Sequence, residues 1–213
     1  MSQINPGSQP PNRLPQTIGF LLLENFTLIS LASAVEPLRM ANQLSGKELY
    51  RWFTVTQSGQ SVSASDGLQI TPDASFETAP SLDSVMVCGG VDIQHSVTRE
   101  HLHWLQTQAR HGRQLGAVCT GSWALAKAGL LDGYDCSVHW ECLAAMQEAF
   151  PRTAVTPRLF SIDRNRHTAS GGTAPMDLML QLIGARHGRE LAAAISDMFM
   201  YERIRSEQDL QRV

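Results

Sequence analysis

One segment of this chain, residues 116–122 with the sequence GAVCTGS, constrains the fold more than any other. Its apolar beginning is typical of a buried strand and the small residues after it are typical of a helix, so Cys119 falls in the turn between them. Gly121 permits a close turn there. The segment therefore predicts a nucleophile elbow with a thiol in place of a hydroxyl. Backbone N–H groups and the positive end of the helix dipole would favour the thiolate.

The rest of the chain alternates between short apolar runs and segments with helical periodicity. Strands are predicted at residues 18–23, 53–56, 69–71, 84–87, 115–118, 136–138, 158–162 and 168–170. Helices are predicted at residues 28–41, 101–109, 122–128, 140–150 and 173–185, and Pro37 is expected to kink or interrupt the first. The alternation predicts an α/β fold: a three-layer sandwich with a mostly parallel open sheet and helices on both faces.

Two terminal segments are expected to lie outside this domain, which is predicted to cover residues 17–200. Residues 1–16 are rich in Pro, Gln, Asn and Ser, which is the composition of a flexible leader. Residues 201–213, YERIRSEQDLQRV, are charged and compatible with a helix. The pattern leaves two interpretations open for them: a solvated C-terminal helix, or the start of an interdomain linker.

Charge and cysteine usage exclude several classes of protein. The formal net charge of −3 gives no general positive potential, so the chain alone should not bind DNA tightly. The four cysteines form no CxxC pair, which argues against a disulfide framework and a zinc site and favours a reducing cytoplasm. No apolar run approaches the ~20 residues that span a bilayer. We therefore expect no membrane contact, no metal and no cofactor.

The candidate ligand site is a crevice at the carboxyl ends of the strands, where open α/β sheets bind their ligands. Backbone N–H groups of Gly89 and Gly90 would receive a carboxylate or an oxyanion. Aromatic side chains around the elbow, namely Phe26, Trp123 and Trp140, would suit a quaternary ammonium or guanidinium group. The predicted ligand-contacting residues are Phe26, Gly89, Gly90, Cys119, Thr120, His139 and Trp140.

Four segments carry a family resemblance: VCGG at 87–90, GAVCTGSWALAKAGLLDG at 116–133, VHWE at 138–141 and ASGGTAPMDLML at 169–180. With these segments, residues 17–213 resemble the class I glutamine amidotransferase-like, PfpI-type domain found at the N-terminus of AraC-family regulators of the GlxA type. The resemblance implies a flavodoxin-like fold and a sensing role. It also implies that residues 201–213 begin a linker to a C-terminal helix-turn-helix domain that contacts DNA, and that the protein is a homodimer.

The resemblance further implies a small-molecule effector: an amino acid or a quaternary-amine derivative such as arginine, glycine betaine or carnitine. Enzymes of this superfamily support their cysteine with a carboxylate after the first strand, and peptidase-like members with a histidine directly after the cysteine. Ser30 and Thr120 stand at those places here, so we expect no catalysis.

Two alternatives stay open. The first is a cysteine-dependent hydrolase or hydratase, with Cys119 as nucleophile and His139 or an unmatched carboxylate as acid/base. The second is a redox sensor whose Cys119 is oxidised to sulfenic acid.

Overall fold

The computed structural model describes residues 15–211. The strands are β1 (Gln16–Leu22), β2 (Tyr50–Thr56), β3 (Val62–Ser63), β4 (Gln69–Ile70), β5 (Ala74–Ser75), β6 (Ser84–Cys88), β7 (Gln114–Val118), β8 (Asp135–Ser137), β9 (Ala154–Thr156), β10 (Phe160–Asp163) and β11 (Arg166–Ala169). The helices are α1 (Leu28–Ser45), α2 (Ile93–Ser96), α3 (Arg99–Arg110), α4 (Ser122–Lys127), α5 (Trp140–Ala149), α6 (Ala174–His187) and α7 (Arg189–Met198). Residues 1–14 of the expected leader lie outside the described residues, and its last residue, Gln16, begins β1.

The main sheet has seven strands in the order β10-β11-β7-β6-β1-β2-β5. Its strand pairs are parallel except for the antiparallel pair of β10 and β11. Two further sheets of two strands each, β3-β4 and β8-β9, lie beside it. The mostly parallel open sheet predicted from the alternation of elements is confirmed.

Both faces of the sheet are covered, because alternate side chains of the central strand enter different cores. Phe20 and Leu22 pack under α1, α6 and α7. Leu21 and Leu23 pack under α3, α4 and α5. A continuous apolar run is therefore the pattern that a strand buried on both faces requires.

The order of the strands determines where the elbow lies in the sheet. From β1 the chain passes through α1 to β2 on one side, and β6 then pairs with β1 on the other side. The loops after β1, β6, β7 and β11 consequently meet at one edge of the sheet, beside the point where the strand order reverses. Open α/β sheets form their ligand crevices at such a point.

Several local predictions differ from the structure. The helix α1 continues through Pro37 without interruption, and Pro37 is buried within it. The helix α7 and the short elements β3, β5, β9 and α2 are absent from the prediction. The short elements have only two to four residues, which is too few for a periodic pattern. The helical spacing of Leu191, Ala192 and Ile195 is the sequence signal that identifies α7.

The C-terminal segment differs most. Residues 201–211, which we call the strap, contain no helix and cross the domain as irregular chain. The interpretation as a solvated helix is wrong, because backbone and side-chain groups of the strap bond to the domain. Arg205 N donates to Asp177 Oδ1 at 2.7 Å, and Leu159 N donates to Asp209 O at 3.0 Å.

Candidate functional site

The backbone fixes the sulfur position at the elbow. Cys119 follows β7 directly and has a φ of 60°, which is the left-handed region that non-glycine residues rarely adopt. Its N–H donates to Ser170 O at 3.3 Å, and its carbonyl accepts from His139 N at 3.0 Å. These two bonds join the elbow to the end of β11 and to the start of α5. The predicted elbow geometry is present, and neighbouring backbone holds its strained residue in place.

Hydroxyl groups surround the thiol. Thr27 Oγ1 lies 3.4 Å from Cys119 Sγ. Ser30 is fully buried in the first turn of α1, and its hydroxyl has no hydrogen-bond partner among the described residues. The Ser30 hydroxyl is nevertheless near enough to the thiol to lower its pKa. The side chains beside the sulfur are therefore neutral at the place where superfamily enzymes hold a carboxylate.

Burial decides the protonation of the thiol. Desolvation raises the pKa of Cys119 above its ordinary value, although the hydroxyls of Thr27 and Ser30 and the Thr120 backbone lower it. The negative charge of Glu141 also raises it. The Thr120 backbone favours the thiolate as expected, but burial outweighs it, since the residue is only 5% exposed. The net effect of the surroundings favours the neutral thiol.

His139 and Gly171 complete the wall opposite Thr27. A Cβ added to Gly171 would collide with the His139 ring and lie 3.5 Å from Cys119 Sγ. The imidazole and the thiol thus approach the same point over the Gly171 backbone, which only glycine allows. His139 Nδ1 accepts from Glu141 N at 3.4 Å, so the ring also caps α5.

Trp140 presents an aromatic surface beside His139. It is 46% exposed, and its ring centroid lies 5.6 Å from that of His139 at an interplanar angle of 35°. Two other large apolar side chains are exposed nearby: Ile29 in the first turn of α1, next to Ser30, and Val91 directly after Gly90. Apolar side chains therefore remain open to solvent on three of the segments that adjoin the crevice.

The other predicted contact residues have structural roles. Phe26 is fully buried in the core under α1, so the expectation that its ring faces a ligand is wrong. Trp123 is likewise core, with an edge contact to Phe150. The Thr120 hydroxyl donates to Gly90 O at 2.7 Å, which ties two loops together.

The glycine pair is also constrained by packing. Gly89 N already donates to Val118 O at 3.3 Å, so this N–H is not available to an anion. Gly90 N has no hydrogen-bond partner among residues 15–211. A side chain at Gly90 would collide with the backbone of Asn25 and Phe26. Of the predicted pair, only Gly90 can donate to a ligand.

Thr27 and Gly171 belong to the crevice and are missing from the prediction. The signal for Thr27 is its position at the start of α1, one turn before Ser30. The signal for Gly171 is its place in the GG pair that follows β11 and precedes α6. Within residues 15–211 there is no cluster of three or more His, Cys, Asp or Glu residues placed to hold a metal.

The described part of the chain also has no helix long and apolar enough to cross a bilayer.

A model of the DJ-1/PfpI family matches residues 17–185. The HTH-type transcriptional regulator GbdR of Pseudomonas aeruginosa is 76% identical over 213 residues, which are 100% of this chain and 58% of that protein. The HTH-type transcriptional regulator GlxA of Rhizobium meliloti is 37% identical over 199 residues, covering 89% of this chain and 59% of that protein.

Similar folds occur in regulators and enzymes. A crystal structure of an AraC family transcriptional regulator from Pseudomonas putida has a TM-score of 0.80 at 33% identity and covers 87% of this chain and 100% of its own. Isonitrile hydratase of Pseudomonas putida is 33% identical over 143 residues, which are 66% of this chain and 61% of that enzyme. The chain thus spans less than two thirds of the length of each of these curated relatives.

Proposed function

The chain belongs to the DJ-1/PfpI family, and from that premise we propose that it is the effector-sensing part of a bacterial transcription regulator and does no catalysis. The observation that carries the proposal is the environment of Cys119. Its thiol is buried among the hydroxyls of Thr27 and Ser30, and burial raises its pKa. A thiol needs a base or a lowered pKa to attack a substrate, and this one has hydroxyl neighbours instead.

DNA contact is assigned to a separate helix-turn-helix domain of the whole regulator. The chain matches 58% of GbdR, so more than a third of such a protein lies beyond the matched part. The net charge of −3 gives this part no general attraction to a phosphate backbone. Dimerisation of the whole regulator belongs to the same proposal, because helix-turn-helix proteins commonly read paired half-sites as dimers.

The proposed effector carries a carboxylate and a cationic nitrogen, as arginine, glycine betaine and carnitine do. The unpartnered N–H of Gly90 and the hydroxyl of Thr27 are the donors proposed for the carboxylate. The exposed ring of Trp140 is the surface proposed for the cation, and tryptophan is the best aromatic partner for one. Ile29 and Val91 would contact methyl or methylene groups of the effector.

The experiment is a calorimetric titration of the chain with glycine betaine, carnitine and arginine, and with an analogue of each that lacks the carboxylate. We expect Trp140→Ala to weaken binding more than Trp140→Phe, because a face-on contact contributes ~0.5–2 kcal/mol and phenylalanine keeps part of it. A decarboxylated analogue that binds as well as its parent would show that the anion contact is wrong.

The rival function is a hydrolase or hydratase, and one observation favours it: the His139 ring and the Cys119 thiol both adjoin the Gly171 backbone. In that case His139 would be the acid/base and Cys119 the nucleophile. Turnover of an isonitrile or an amide by the chain, lost in both Cys119→Ser and His139→Gln, would support the rival and overturn the sensing proposal.

A further inference from the structure

The strap is anchored on a buried carboxylate. Asp177 lies in α6 and is fully buried. Its Oδ2 accepts from Tyr201 Oη at 2.9 Å and from Arg205 Nε at 2.9 Å, while Oδ1 accepts from Arg205 N at 2.7 Å. An ionised carboxylate without water is costly unless it is paired and hydrogen-bonded, and the strap supplies these contacts. The strap therefore completes the domain.

The anchor reaches the Gly171 loop. Arg205 Nη2 also donates to Thr173 Oγ1 at 2.8 Å, two residues after Gly171. Gly171 is the residue whose backbone touches the His139 ring and approaches the Cys119 thiol. A displacement of this loop by a ligand would therefore act directly on a strap contact.

A second connection consists of backbone hydrogen bonds in series. Leu159 N donates to Asp209 O of the strap at 3.0 Å, Ser170 N donates to Leu159 O at 2.7 Å, and Cys119 N donates to Ser170 O at 3.3 Å. The strained residue of the elbow is thus three hydrogen bonds from the strap. Each bond involves rigid backbone and not a mobile side chain.

The end of the strap makes a third connection. Gln211 Nε2 donates to Val138 O at 2.9 Å, directly before His139, and to Arg158 O at 3.2 Å. Gln211 N donates to Pro157 O at 2.9 Å. The crevice residues Gly171, Cys119 and His139 are therefore each connected to the strap by a different route.

We propose that docking of the strap and occupancy of the crevice are thermodynamically coupled, so that the strap carries the state of the crevice to whatever is joined to it. The proposal rests on the proposed function only in naming an effector as the natural occupant of the crevice. Coupling of this kind is reciprocal: a change in strap docking must alter the crevice by the same free energy with which the crevice alters the strap.

The reciprocity gives a test that needs no effector. In a Cys142→Ser background, which removes the half-buried cysteine and leaves Cys88 and Cys136 fully buried, the alkylation rate of Cys119 by iodoacetamide at one pH reports opening of the crevice. Amide hydrogen exchange of Leu159 and Ile162 reports release of the strap, because both N–H groups donate to residues of the strap.

The variant is Arg205→Ala with Gln211→Ala, which removes two side chains at the surface of the domain. We expect exchange at Leu159 and Ile162 to rise, and Cys119 alkylation to rise at least about fivefold, the lower end of ordinary allosteric coupling. Tyr201→Phe removes one hydroxyl and should produce a smaller change of the same sign. Arg110→Ala is the matched control, because that guanidinium donates to Thr107 within its own helix, and it should change neither rate.

Two results would overturn the proposal. If exchange rises and alkylation does not, the strap is docked but not coupled to the crevice. If exchange stays unchanged in the double variant, these contacts do not hold the strap. Titration with glycine betaine adds a separate arm: failure of glycine betaine to bind counts against that effector, while the alkylation result still decides the coupling.

Discussion

At the scale of single residues, the structure separates the position of the sulfur from its reactivity. The backbone of Cys119 keeps the elbow conformation, with bonds to Ser170 and His139. Reactivity depends on the neighbouring side chains, which are Thr27 and Ser30. A neutral hydroxyl in place of a carboxylate removes the base but leaves the shape of the crevice. Under the proposed function, this exchange lets one family supply both isonitrile hydratase and a sensing domain.

We predict that Cys119→Ser changes effector affinity by less than about tenfold, or ~1.4 kcal/mol. Serine preserves the size of the side chain, and the proposed ligand contacts come from Gly90, Thr27 and Trp140. Titration of this variant and of the unchanged chain with glycine betaine measures the difference. Complete loss of binding would instead indicate that the sulfur itself takes part in sensing.

The sequence could identify the loops of the crevice but not the orientation of every side chain in them. On the sequence alone, Phe26 and Trp140 both follow strands, and both are suitable for an aromatic cage. In the structure Phe26 is fully buried and Trp140 is 46% exposed. The difference comes from the pairing of Phe26 with Gly90 and Ala64 in isolated bridges, which turns its ring into the core. Such contacts between distant residues leave no local pattern.

At the scale of elements, α3 depends on a histidine in its cap. Thr98 Oγ1 accepts from His101 N at 3.3 Å, and His101 Nδ1 accepts from Thr98 N at 3.1 Å, so the two residues form a reciprocal capping box. Burial lowers the pKa of His101 below its ordinary value. Protonation would both charge a buried ring and remove the acceptor of the cap.

We therefore predict that acid destabilises the domain partly through His101. A lowered pKa in the folded state contributes stability that is present above the unfolded value of about 6.5 and is lost as the pH falls through the folded value. His101→Gln keeps a capping box without a titrating ring. Urea unfolding at pH 7.5 and pH 5 should show a smaller loss of unfolding free energy on acidification in this variant.

The control for that prediction lies on the same helix. His103 is exposed and takes no part in the cap, and His103→Gln should keep the pH dependence of the parent chain. Equal acid sensitivity in the His101→Gln variant and the parent would show that the cap does not contribute.

The strands and the strap differ in how far sequence could predict them. Strands β1, β6 and β7 could be predicted because each is a continuous apolar run buried on both faces. The strap was not, because its conformation depends on Asp177, a carboxylate more than twenty residues earlier in the chain. A charged residue within the apolar run of α6 was the one local sign that a distant partner exists.

At the scale of the whole molecule, charge decides what the chain can bind by long-range attraction. With a net charge of −3, we predict that it binds double-stranded DNA no better than non-specifically. A mobility-shift titration at moderate salt with a promoter fragment and a scrambled fragment measures this. Tight binding that favours one fragment would contradict the assignment of DNA contact to a separate domain.

The position of the strap also has a consequence for solubility. Strand β10 is at the edge of the main sheet, and an exposed edge strand is a template for aggregation. The strap accepts hydrogen bonds from backbone N–H groups that face outward there. Ile162 N donates to Glu207 Oε1 at 2.9 Å, and Leu159 N donates to Asp209 O. A chain shortened before residue 201 would leave these groups unpaired at an open sheet edge. The same segment that contacts the crevice therefore also protects the folded molecule from pairing with its own copies.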